Sequence, residues 1–296
     1  MNRIFKLGAA AALLAGCSTL NVDLPAVTEA PTGQRDTGRV IWHDLLTTTP
    51  EESRRFYGEL FGWTFERPGI SLGFGGGDAY MLIRHEGRLI GGMVDARLLD
   101  KDENISQWMT VISTDDIESA TAAIRASGGE VLTAPTSLRS RGTMGVYADA
   151  SGALFALLET RDGDPAEEPP AVNGFLWNEL WTHDIPGSVE FYSNVLGLAH
   201  DVRELGSGSG SYEILKRADA PVLGVLEHPV ADARPVWANY LRVEDPAAIT
   251  ARVEALGGRV ALEAQPRPIG GSIAVILGPS GAGIALQTWP LTENAE

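Results

Sequence analysis

The sequence predicts an α+β protein made of two tandem copies of one unit. Its 296 residues suffice for two domains at about 150 residues each. Residues 40–63 match residues 175–198 at an offset of 135, and Trp108 matches Trp237 at an offset of 129 (237 − 108). Self-similarity at a fixed offset is the sequence signature of a repeated structural unit. Within each copy, short strand-forming runs alternate with segments whose apolar residues recur at helical spacing.

The two copies are separated by a segment without periodic hydrophobic residues. Residues 161–172 (RDGDPAEEPPAV) are rich in proline and acidic residues, a composition typical of a linker. We therefore expect one domain at residues 38–160 and a second at residues 173–290, each long enough to fold by itself. The smaller offset of the later matches predicts shorter hairpin loops in the second copy.

The order of elements can be predicted within the first copy. A strand near 39–47 leads to Thr49, a capping residue that is followed by a Pro at the first helical position, and this helix ends at Gly62. A strand at 106–112 precedes a second helix, at 116–127, which a Gly-Gly pair ends. Further strands are predicted near 63–67, 71–74, 79–84 and 89–94 in the first half, and near 130–133, 143–148 and 153–159 in the second. Each domain is thus a βαβββ module followed by another.

The N-terminal residues resemble the export signal of a bacterial lipoprotein. A basic start is followed by an apolar stretch at 7–15, which is too short to span a bilayer. The LAGC sequence that ends at Cys17 resembles a lipobox, whose Cys is lipidated and becomes the first mature residue. An ordinary secretory signal with a chance Cys is the alternative. The resemblance implies that residues 1–16 are removed and that residues 17–37 form a tether. From Ser18, it also implies an outer-membrane lipoprotein that faces the periplasm.

Composition excludes several functional classes. The net charge of −16 at pH 7 and the pI near 4.7 argue against a nucleic-acid-binding groove, which needs clustered Lys and Arg. An anionic membrane surface would repel the same charge, so membrane attachment is expected to rest on acyl chains alone. Cys17 is the only cysteine of the chain, which excludes an intrachain disulfide, a Cys-rich zinc site and an iron–sulfur cluster.

Three motifs in order carry a resemblance to a known superfamily. They are a Phe-Tyr-x-x-Leu-Phe-Gly-Trp run at 56–63, the Gly-Gly pair at 128–129 and an Asp-x-x-Gly-Ala turn at 149–153, before the last strand. Together they resemble the vicinal oxygen chelate superfamily, which includes glyoxalase I, extradiol dioxygenases and bleomycin-resistance proteins. The resemblance covers both domains and implies that paired βαβββ modules curl into a half-open cup of mixed strands around a small ligand. Fold does not determine function here, because the superfamily contains both enzymes and passive binders.

Metal-dependent members of that superfamily have ligands at strand positions that can be located in this chain. These positions hold Trp42, Thr110 and Ala156 in the first copy and Trp177, Asn239 and Ala285 in the second. Trp and Ala offer a divalent cation no lone pair, and Thr and Asn are weak ligands without a charged partner. A one-residue slip on the first strand brings in His43 but leaves the site incomplete. We therefore expect neither a metal ion nor another cofactor.

The same register predicts what lines each cup, because the side chains of a strand alternate between its faces. The expected ligand-binding residues are Trp42, Asp44, Trp108 and Thr110 in the first copy, and Trp177, Glu179, Trp181, Trp237, Asn239 and Gln287 in the second. An aromatic box with few polar anchors suits a flat or cationic small molecule, through stacking and cation–π contact. Two alternatives remain open. Trp42 and Trp177 either contact a ligand or fill the floor of each cup, and the two carboxylates are either bases or buried partners of arginine.

These observations favour a lipid-anchored, metal-free protein that binds a small molecule in one or both cups. The first alternative is a metal-dependent lyase, isomerase or dioxygenase of the same superfamily with a rearranged site, so the sequence does not decide whether the chain is an enzyme. The second alternative is an interaction scaffold in the bacterial envelope. The expected partners are a small-molecule ligand, the membrane through the lipid anchor only, and a second copy of the chain. Nucleic acid is not expected among the partners.

Overall fold

The computed structural model describes residues 23–68, 79–99, 104–204, 211–267 and 270–289. The predicted export signal with Cys17 and the strand predicted near 71–74 lie outside the described residues. Within the described ranges, no helix is both long enough and apolar enough to cross a membrane.

Each domain contains the predicted order of elements. The first domain has β1 (Val40–Thr47), α1 (Pro50–Phe61), β2 (Thr64–Glu66), β3 (Tyr80–His85), β4 (Arg88–Asp95), β5 (Gln107–Ser113), α2 (Ile117–Ala126), β6 (Glu130–Ser137), β7 (Gly142–Ala148) and β8 (Leu154–Thr160). The second domain has β9 (Phe175–Thr182), α3 (Ile185–Leu196), β10 (Ala199–Glu204), β11 (Ser211–Arg217), β12 (Ala220–Glu227), β13 (Val236–Arg242), α4 (Pro246–Val253), β14 (Arg259–Pro266), β15 (Ser272–Leu277) and β16 (Gly283–Gln287). A βαβββ module therefore occurs twice in each domain.

Both domains form an eight-stranded mixed sheet with equivalent strand orders. The order is β2-β3-β4-β1-β5-β8-β7-β6 in the first domain and β10-β11-β12-β9-β13-β16-β15-β14 in the second. The two modules of a domain meet at the centre of its sheet, where β1 pairs antiparallel with β5 and β9 pairs antiparallel with β13. Parallel pairs such as β1–β4 and β5–β8 flank that centre. The sheets stay open rather than closing into barrels, and the predicted α+β class with mixed sheets is confirmed.

Local sequence explains where the first helix of each domain begins and ends. Helices α1 and α3 end at Gly62 and Gly197, whose φ angles of +72° and +65° lie in the left-handed region that favours glycine. Helix α3 begins after Asp184, whose carboxylate accepts a hydrogen bond from the N–H of Gly187 (3.0 Å). The capping prediction for Thr49 is wrong in detail. Thr49 stands before α1, but its hydroxyl makes no capping bond to the described residues, and the proline after it pre-sets the first turn.

The helices lie between the two sheets, so the domains pack back to back. One core cluster joins α1 to α4 and to β15, and includes Phe56 and Ile276. The other core cluster joins α2 to α3, and includes Ile124 and Phe191. The apolar stripe of each helix is therefore buried against its own sheet and against the other domain at once, which removes more apolar surface from water than either domain could alone.

Two buried hydrogen bonds join equivalent residues of the two copies. His43 Nε2–H donates to Asn178 Oδ1 (2.8 Å), and the Thr110 hydroxyl donates to Asn239 Oδ1 (2.8 Å). Each bond joins a residue to its own equivalent, at offsets of 135 (178 − 43) and 129 (239 − 110). Self-pairing of equivalent positions is what a two-fold relation between two units requires. The domains are therefore related by an approximate two-fold axis that passes between their central strands.

The chain before β1 packs against the first domain. Leu24 and Val27 belong to the buried core of that domain. Arg35 Nε donates to the carbonyl oxygen of Thr160 (2.7 Å), and backbone bonds tie the residues near position 32 to Asp164. Residues 23–37, the described part of the segment expected to be a tether, therefore lie against the globular body.

Candidate functional site

Each sheet curls so that its helix-free face forms a cup. In the first domain, Arg141 lies between β6 and β7, at one end of the strand order, and Tyr80 lies on β3, near the other end. The guanidinium carbon of Arg141 is nevertheless 5.1 Å from the ring centre of Tyr80. Contact between residues so far apart in the strand order requires the sheet to bend over itself. We define the first cup as the surface formed by Trp42, Asp44, Leu46, Tyr80, Met109, Val111, Ala156 and Leu158. We define the second cup as the surface formed by Trp177, Glu179, Trp181, Tyr212, Tyr240, Arg267 and Gln287.

The first cup holds one carboxylate, at Asp44. Its Oδ1 accepts hydrogen bonds from Trp42 Nε1 (2.9 Å) and from Tyr80 Oη (2.8 Å). The Arg141 guanidinium lies over both rings, with Nη1 3.8 Å from Asp44 Oδ2. Gly92 on β4 lies against this group, and a Cβ at that position would come within 2.0 Å of Tyr80 Oη. Only glycine therefore leaves room for the hydrogen bond between Tyr80 and Asp44.

The second cup gathers more donors around Glu179, the equivalent of Asp44. Glu179 is fully buried, and its oxygens accept hydrogen bonds from Tyr212 Oη (2.8 Å), Tyr240 Oη, Trp181 Nε1 (3.3 Å) and Arg267 Nη2 (2.7 Å). The side chain of Glu is one methylene longer than that of Asp. The carboxylate of the second cup therefore touches its arginine at 2.7 Å, against 3.8 Å in the first cup.

Burial and charge keep Tyr212 and Tyr240 neutral and Arg267 protonated. Burial raises the pKa of Tyr212 and of Tyr240 well above the usual value, and the Glu179 carboxylate raises both further. Burial by itself would lower the pKa of Arg267, but the charge of Glu179 raises it overall. The carboxylate is thus paired with a cation and surrounded by neutral donors. Of the two open alternatives, the geometry favours Glu179 as the buried partner of an arginine over Glu179 as a base, and Asp44 occupies the same place in the first cup.

The two cups differ in how much aromatic surface they expose. Trp42 in the first cup is 2% exposed, whereas its equivalent Trp177 is only partly buried. Trp181, which stands where the first cup has Leu46, is also partly exposed. The second cup therefore presents aromatic rings to solvent. Beneath them lies the buried ion pair of Glu179 and Arg267, whose carboxylate already accepts several hydrogen bonds.

The structure brings most of the predicted ligand-binding residues into the cups. Trp42 and Asp44 lie in the first cup, and Trp177, Glu179, Trp181 and Gln287 lie in the second. Gln287 Oε1 accepts a hydrogen bond from Arg267, so its side-chain carbonyl is held beside the ion pair.

Four predicted ligand-binding residues lie outside both cups. Trp108, Thr110, Trp237 and Asn239 are on the opposite face of their strands, toward the helices and the other domain. Trp108 Nε1 donates a hydrogen bond to Tyr57 Oη of α1 (3.1 Å), and Trp237 Nε1 donates the equivalent bond to Tyr192 Oη of α3 (3.1 Å). Their prediction as cup residues is therefore corrected, since the two tryptophans belong to core clusters shared by the domains and Thr110 bonds Asn239 across them.

The error is a shift of one residue on β5 and on β13. The antiparallel partner of Trp42 is Val111 rather than Thr110, and the partner of Trp177 is Tyr240. An ungapped count along the chain could not show this, because the ladder between β1 and β5 contains a register shift. A shift of one residue exchanges the two faces of a strand.

The corrected register also decides whether the cups fit a metal ion. The row across the centre of each sheet reads Trp42, Val111 and Ala156 in the first cup and Trp177, Tyr240 and Ala285 in the second. Neither row contains a carboxylate, an imidazole or a thiolate, the groups that hold transition metals in proteins. In the part of the chain that the structure describes, no group of three or more His, Cys, Asp and Glu side chains could hold a metal ion. The residues present therefore do not fit the metal that the resemblance implies.

Sequence analysis missed the partners of the two carboxylates. Tyr80 and Tyr212 are equivalent in the repeat, at an offset of 132 (212 − 80), so the duplication alone could have drawn attention to them. The two arginines could not be found in this way, because Arg141 and Arg267 stand 126 residues apart (267 − 141), outside the offset of their flanking strands. They approach the two carboxylates from the segment between β6 and β7 and from the end of β14.

Comparison with known proteins gives a match for each half of the chain. Residues 41–158 match a family model described as a glyoxalase-like domain. Residues 174–286 match the model of the glyoxalase/bleomycin resistance protein/dioxygenase superfamily. Together the two matches cover both sheets from near the start of the first strand to near the end of the last.

Curated relatives match over most of their own length. CFP32 of Mycobacterium tuberculosis (strain CDC 1551 / Oshkosh), which carries a glyoxylase name, is 30% identical over 241 residues, 81% of this chain and 91% of the relative. The anthracycline biosynthesis protein DnrV of Streptomyces peucetius is 30% identical over 261 residues, 84% of this chain and 92% of the relative.

Solved structures share the fold at low sequence identity. The Mn(II)-bound glyoxalase from Novosphingobium aromaticivorans has a TM-score of 0.58 and 14% identity, over 86% of this chain and 83% of that one. The 2,2',3-trihydroxybiphenyl 1,2-dioxygenase from Sphingomonas wittichii strain RW1 has a TM-score of 0.57 and 16% identity, over 88% and 93%. With a family match in each domain and relatives 30% identical along most of its length, this chain belongs to the glyoxalase/bleomycin resistance protein/dioxygenase superfamily.

Proposed function

We propose that this chain is a lipid-anchored small-molecule-binding protein that works without a metal ion, and that its ligand lies in the second cup. The observation that carries the proposal is the pair of partly exposed tryptophans, Trp177 and Trp181, above the buried ion pair of Glu179 and Arg267. Apolar walls with a few fixed polar groups are typical of small-molecule sites.

The lining favours a flat aromatic ligand. Indole rings offer faces on which a planar molecule can stack, and the amide of Gln287 lies beside the ion pair. Because Glu179 is already neutralised by Arg267, the cup offers little net charge to a ligand. The relatives with names in anthracycline biosynthesis support a planar polycyclic molecule as the first ligand to test.

Titration calorimetry with an anthracycline tests the site. We expect one binding event in the wild type and a Kd at least about tenfold weaker in Trp181→Leu, since truncation of an aromatic hot spot costs about 2 kcal/mol or more. Trp181→Phe keeps an aromatic face and should retain most of the affinity. Leu46→Val, at the equivalent position of the first cup, is the control and should leave the Kd unchanged. An unchanged Kd in Trp181→Leu would place the ligand elsewhere.

The absence of a metal requirement is supported by the donor set of the two cups. Trp, Val, Tyr and Ala occupy the central rows, and both carboxylates are engaged by an arginine. Elemental analysis of protein purified without chelator should therefore find far less than one divalent transition metal per chain. One stoichiometric Mn, Fe, Ni or Zn ion would favour the alternative of a metal-dependent enzyme with a rearranged site.

Lipid anchoring is supported by the position of the only cysteine. Cys17 follows a short apolar stretch and completes a lipobox-like sequence. In a bacterial host, Cys17→Ser should move the protein from the membrane fraction to the soluble fraction. Ser18→Asp is the matched variant, which should stay in the membrane but leave the outer-membrane fraction. A Cys17→Ser protein that fractionates like the wild type would overturn this part of the proposal.

A further inference from the structure

The first cup is occupied by the chain's own N-terminal segment, residues 23–27. Leu24 and Val27 are 8% and 3% exposed and belong to the same buried cluster as Trp42 and Met109. The N–H of Leu24 donates to the carbonyl oxygen of Leu138 (3.2 Å), in the hairpin at the rim of the cup. The segment therefore covers the surface that corresponds to the exposed surface of the second cup.

Comparison of the two cups, which are equivalent in the repeat, shows the effect of the segment on solvent exposure. Trp42 and Trp177 stand at the same place in the two sheets, but Trp42 is 2% exposed and Trp177 is partly exposed. The buried cluster of the second cup consists of residues from its own domain, whereas the cluster of the first cup includes Leu24 and Val27 from outside the sheet. Leu24 and Val27 are the described members of this cluster that come from outside residues 38–160, so the segment contributes to the burial of the first cup.

The segment satisfies only part of what the first cup offers. Arg141 Nε donates to the carbonyl oxygen of Pro25 (2.9 Å). Among the described residues, its two terminal nitrogens have no hydrogen-bond partner, although the side chain has no solvent exposure. A buried donor without a partner is unfavourable. A molecule with an apolar body and an acceptor oxygen could fill the cup as Leu24 and Val27 do and could bind more of the guanidinium than Pro25 does.

Among the residues that the structure describes, few contacts hold the segment. Two apolar side chains are buried, and three hydrogen bonds join residues 23–25 to the hairpin, the third running from the N–H of Ser140 to Asp23 Oδ1 (3.1 Å). The segment has no helix and no strand of its own. The gain from these contacts and the entropic cost of ordering five residues are of similar size, so a ligand can compete with the segment.

We propose that the first cup is a second ligand site, for an apolar molecule that carries an acceptor oxygen, and that residues 23–27 close it in the free protein. The site is independent of the second cup, because the two cups open on opposite sides of the back-to-back domains. When the segment withdraws, each chain has two ligand sites, one in each cup.

Counting the bound molecules of 8-anilinonaphthalene-1-sulfonate by equilibrium dialysis tests the proposal. This probe has an apolar aromatic body and sulfonate oxygens. We expect one tight site per chain in the wild type and two in Leu24→Asp/Val27→Asp, whose segment cannot stay in an apolar cup. Ala30→Asp, a single added charge at an exposed position just outside the cup, should keep one site. One site in a folded Leu24→Asp/Val27→Asp protein, judged by circular dichroism, would overturn the proposal.

Two further measurements separate this inference from the function proposed for the second cup. In the Trp181→Leu background the double substitution should still add one site, whatever the second cup binds. In the unmodified protein, saturating probe should raise hydrogen exchange of the Leu24 amide severalfold, because displacement of the segment breaks its bond to the carbonyl oxygen of Leu138. If probe binding at saturation leaves that exchange unchanged, the segment is a permanent part of the core and the proposal fails, even where the substituted chain does not fold.

Discussion

The buried histidine between the domains should make the stability of the protein depend on pH. His43 is 5% exposed, stacks on Phe175 with ring centres 3.6 Å apart and donates a hydrogen bond to Asn178. Burial lowers the pKa of His43 from 6.5 to about 4, and the hydrogen bond to Asn178 opposes only part of this effect. The folded protein therefore holds His43 neutral at pH values where the unfolded chain binds a proton.

The sign and size of the effect follow from proton linkage. Between pH 6.5 and pH 4 the unfolded state binds more protons at this site than the folded state, so stability falls as the pH falls. Each pH unit in that window changes the free energy of unfolding by about 1.4 kcal/mol, which sums to about 3 kcal/mol over the whole window. Well above pH 6.5 the site contributes little pH dependence, because the imidazole is then neutral in both states.

Urea unfolding of the wild type and of His43→Asn at pH 7.5, 6, 5 and 4 measures this effect. The introduced amide keeps a donor for Asn178 and does not titrate, so the stability difference between wild type and variant should shift by about 3 kcal/mol toward the variant as the pH falls. Ile124→Val is the control, because it lowers stability through the core cluster of α2 and α3 and leaves the surroundings of His43 in place, and it should keep the pH dependence of the wild type. A difference between wild type and His43→Asn that stays constant over this range would refute the reasoning.

Three other substitutions test the structural assignments. Glu179→Gln leaves the buried charge of Arg267 without its partner and should lower the free energy of unfolding by about 3–5 kcal/mol. The double variant Glu179→Leu/Arg267→Met removes both charges and should recover most of that loss. A Glu179→Gln protein as stable as the wild type would contradict the ion pair. Thr110→Val removes the donor to Asn239 and should cost about 1–3 kcal/mol in urea unfolding. It should leave second-cup affinity unchanged, and a weaker Kd would return Thr110 to the ligand site. Gly92→Ala should lower the thermal midpoint, at a cost of about 1–3 kcal/mol, because its Cβ has no room; an unchanged midpoint would rule out the close contact.

Much of the fold is encoded in short stretches of sequence that occur twice. The positions of Trp42 and Trp177 reveal the duplication, and Gly62 and Gly197 end equivalent helices because both adopt a left-handed conformation. Alternation along β9 places Trp177, Glu179 and Trp181 on one face without knowledge of any neighbour. These features depend on a single strand or helix, so the chain in that element is enough to predict them.

The faces of β5 and β13 could not be predicted in the same way. Which residue of β5 stands beside Trp42 depends on how two strands pair, and the pairing contains a register shift. One residue of slip moved Thr110 and Asn239 from the expected cup face to the contact between the domains. The same limit applies to Arg141, which reaches Asp44 only because the sheet bends.

Local sequence thus accounts for the repeat, the α+β class, the helix ends and the aromatic character of β9. Long-range packing accounts for the difference between the two cups. Pro25 and Arg141 lie 116 residues apart, and the contact between them exists only once the first sheet has curled. The hydrophobic periodicity of a strand or helix carries no information about a partner so far away in the chain. From the sequence alone, the two cups therefore look equivalent. In the folded chain, residues 23–27 pack into the first cup, whereas Trp177 and Trp181 of the second cup stay partly exposed.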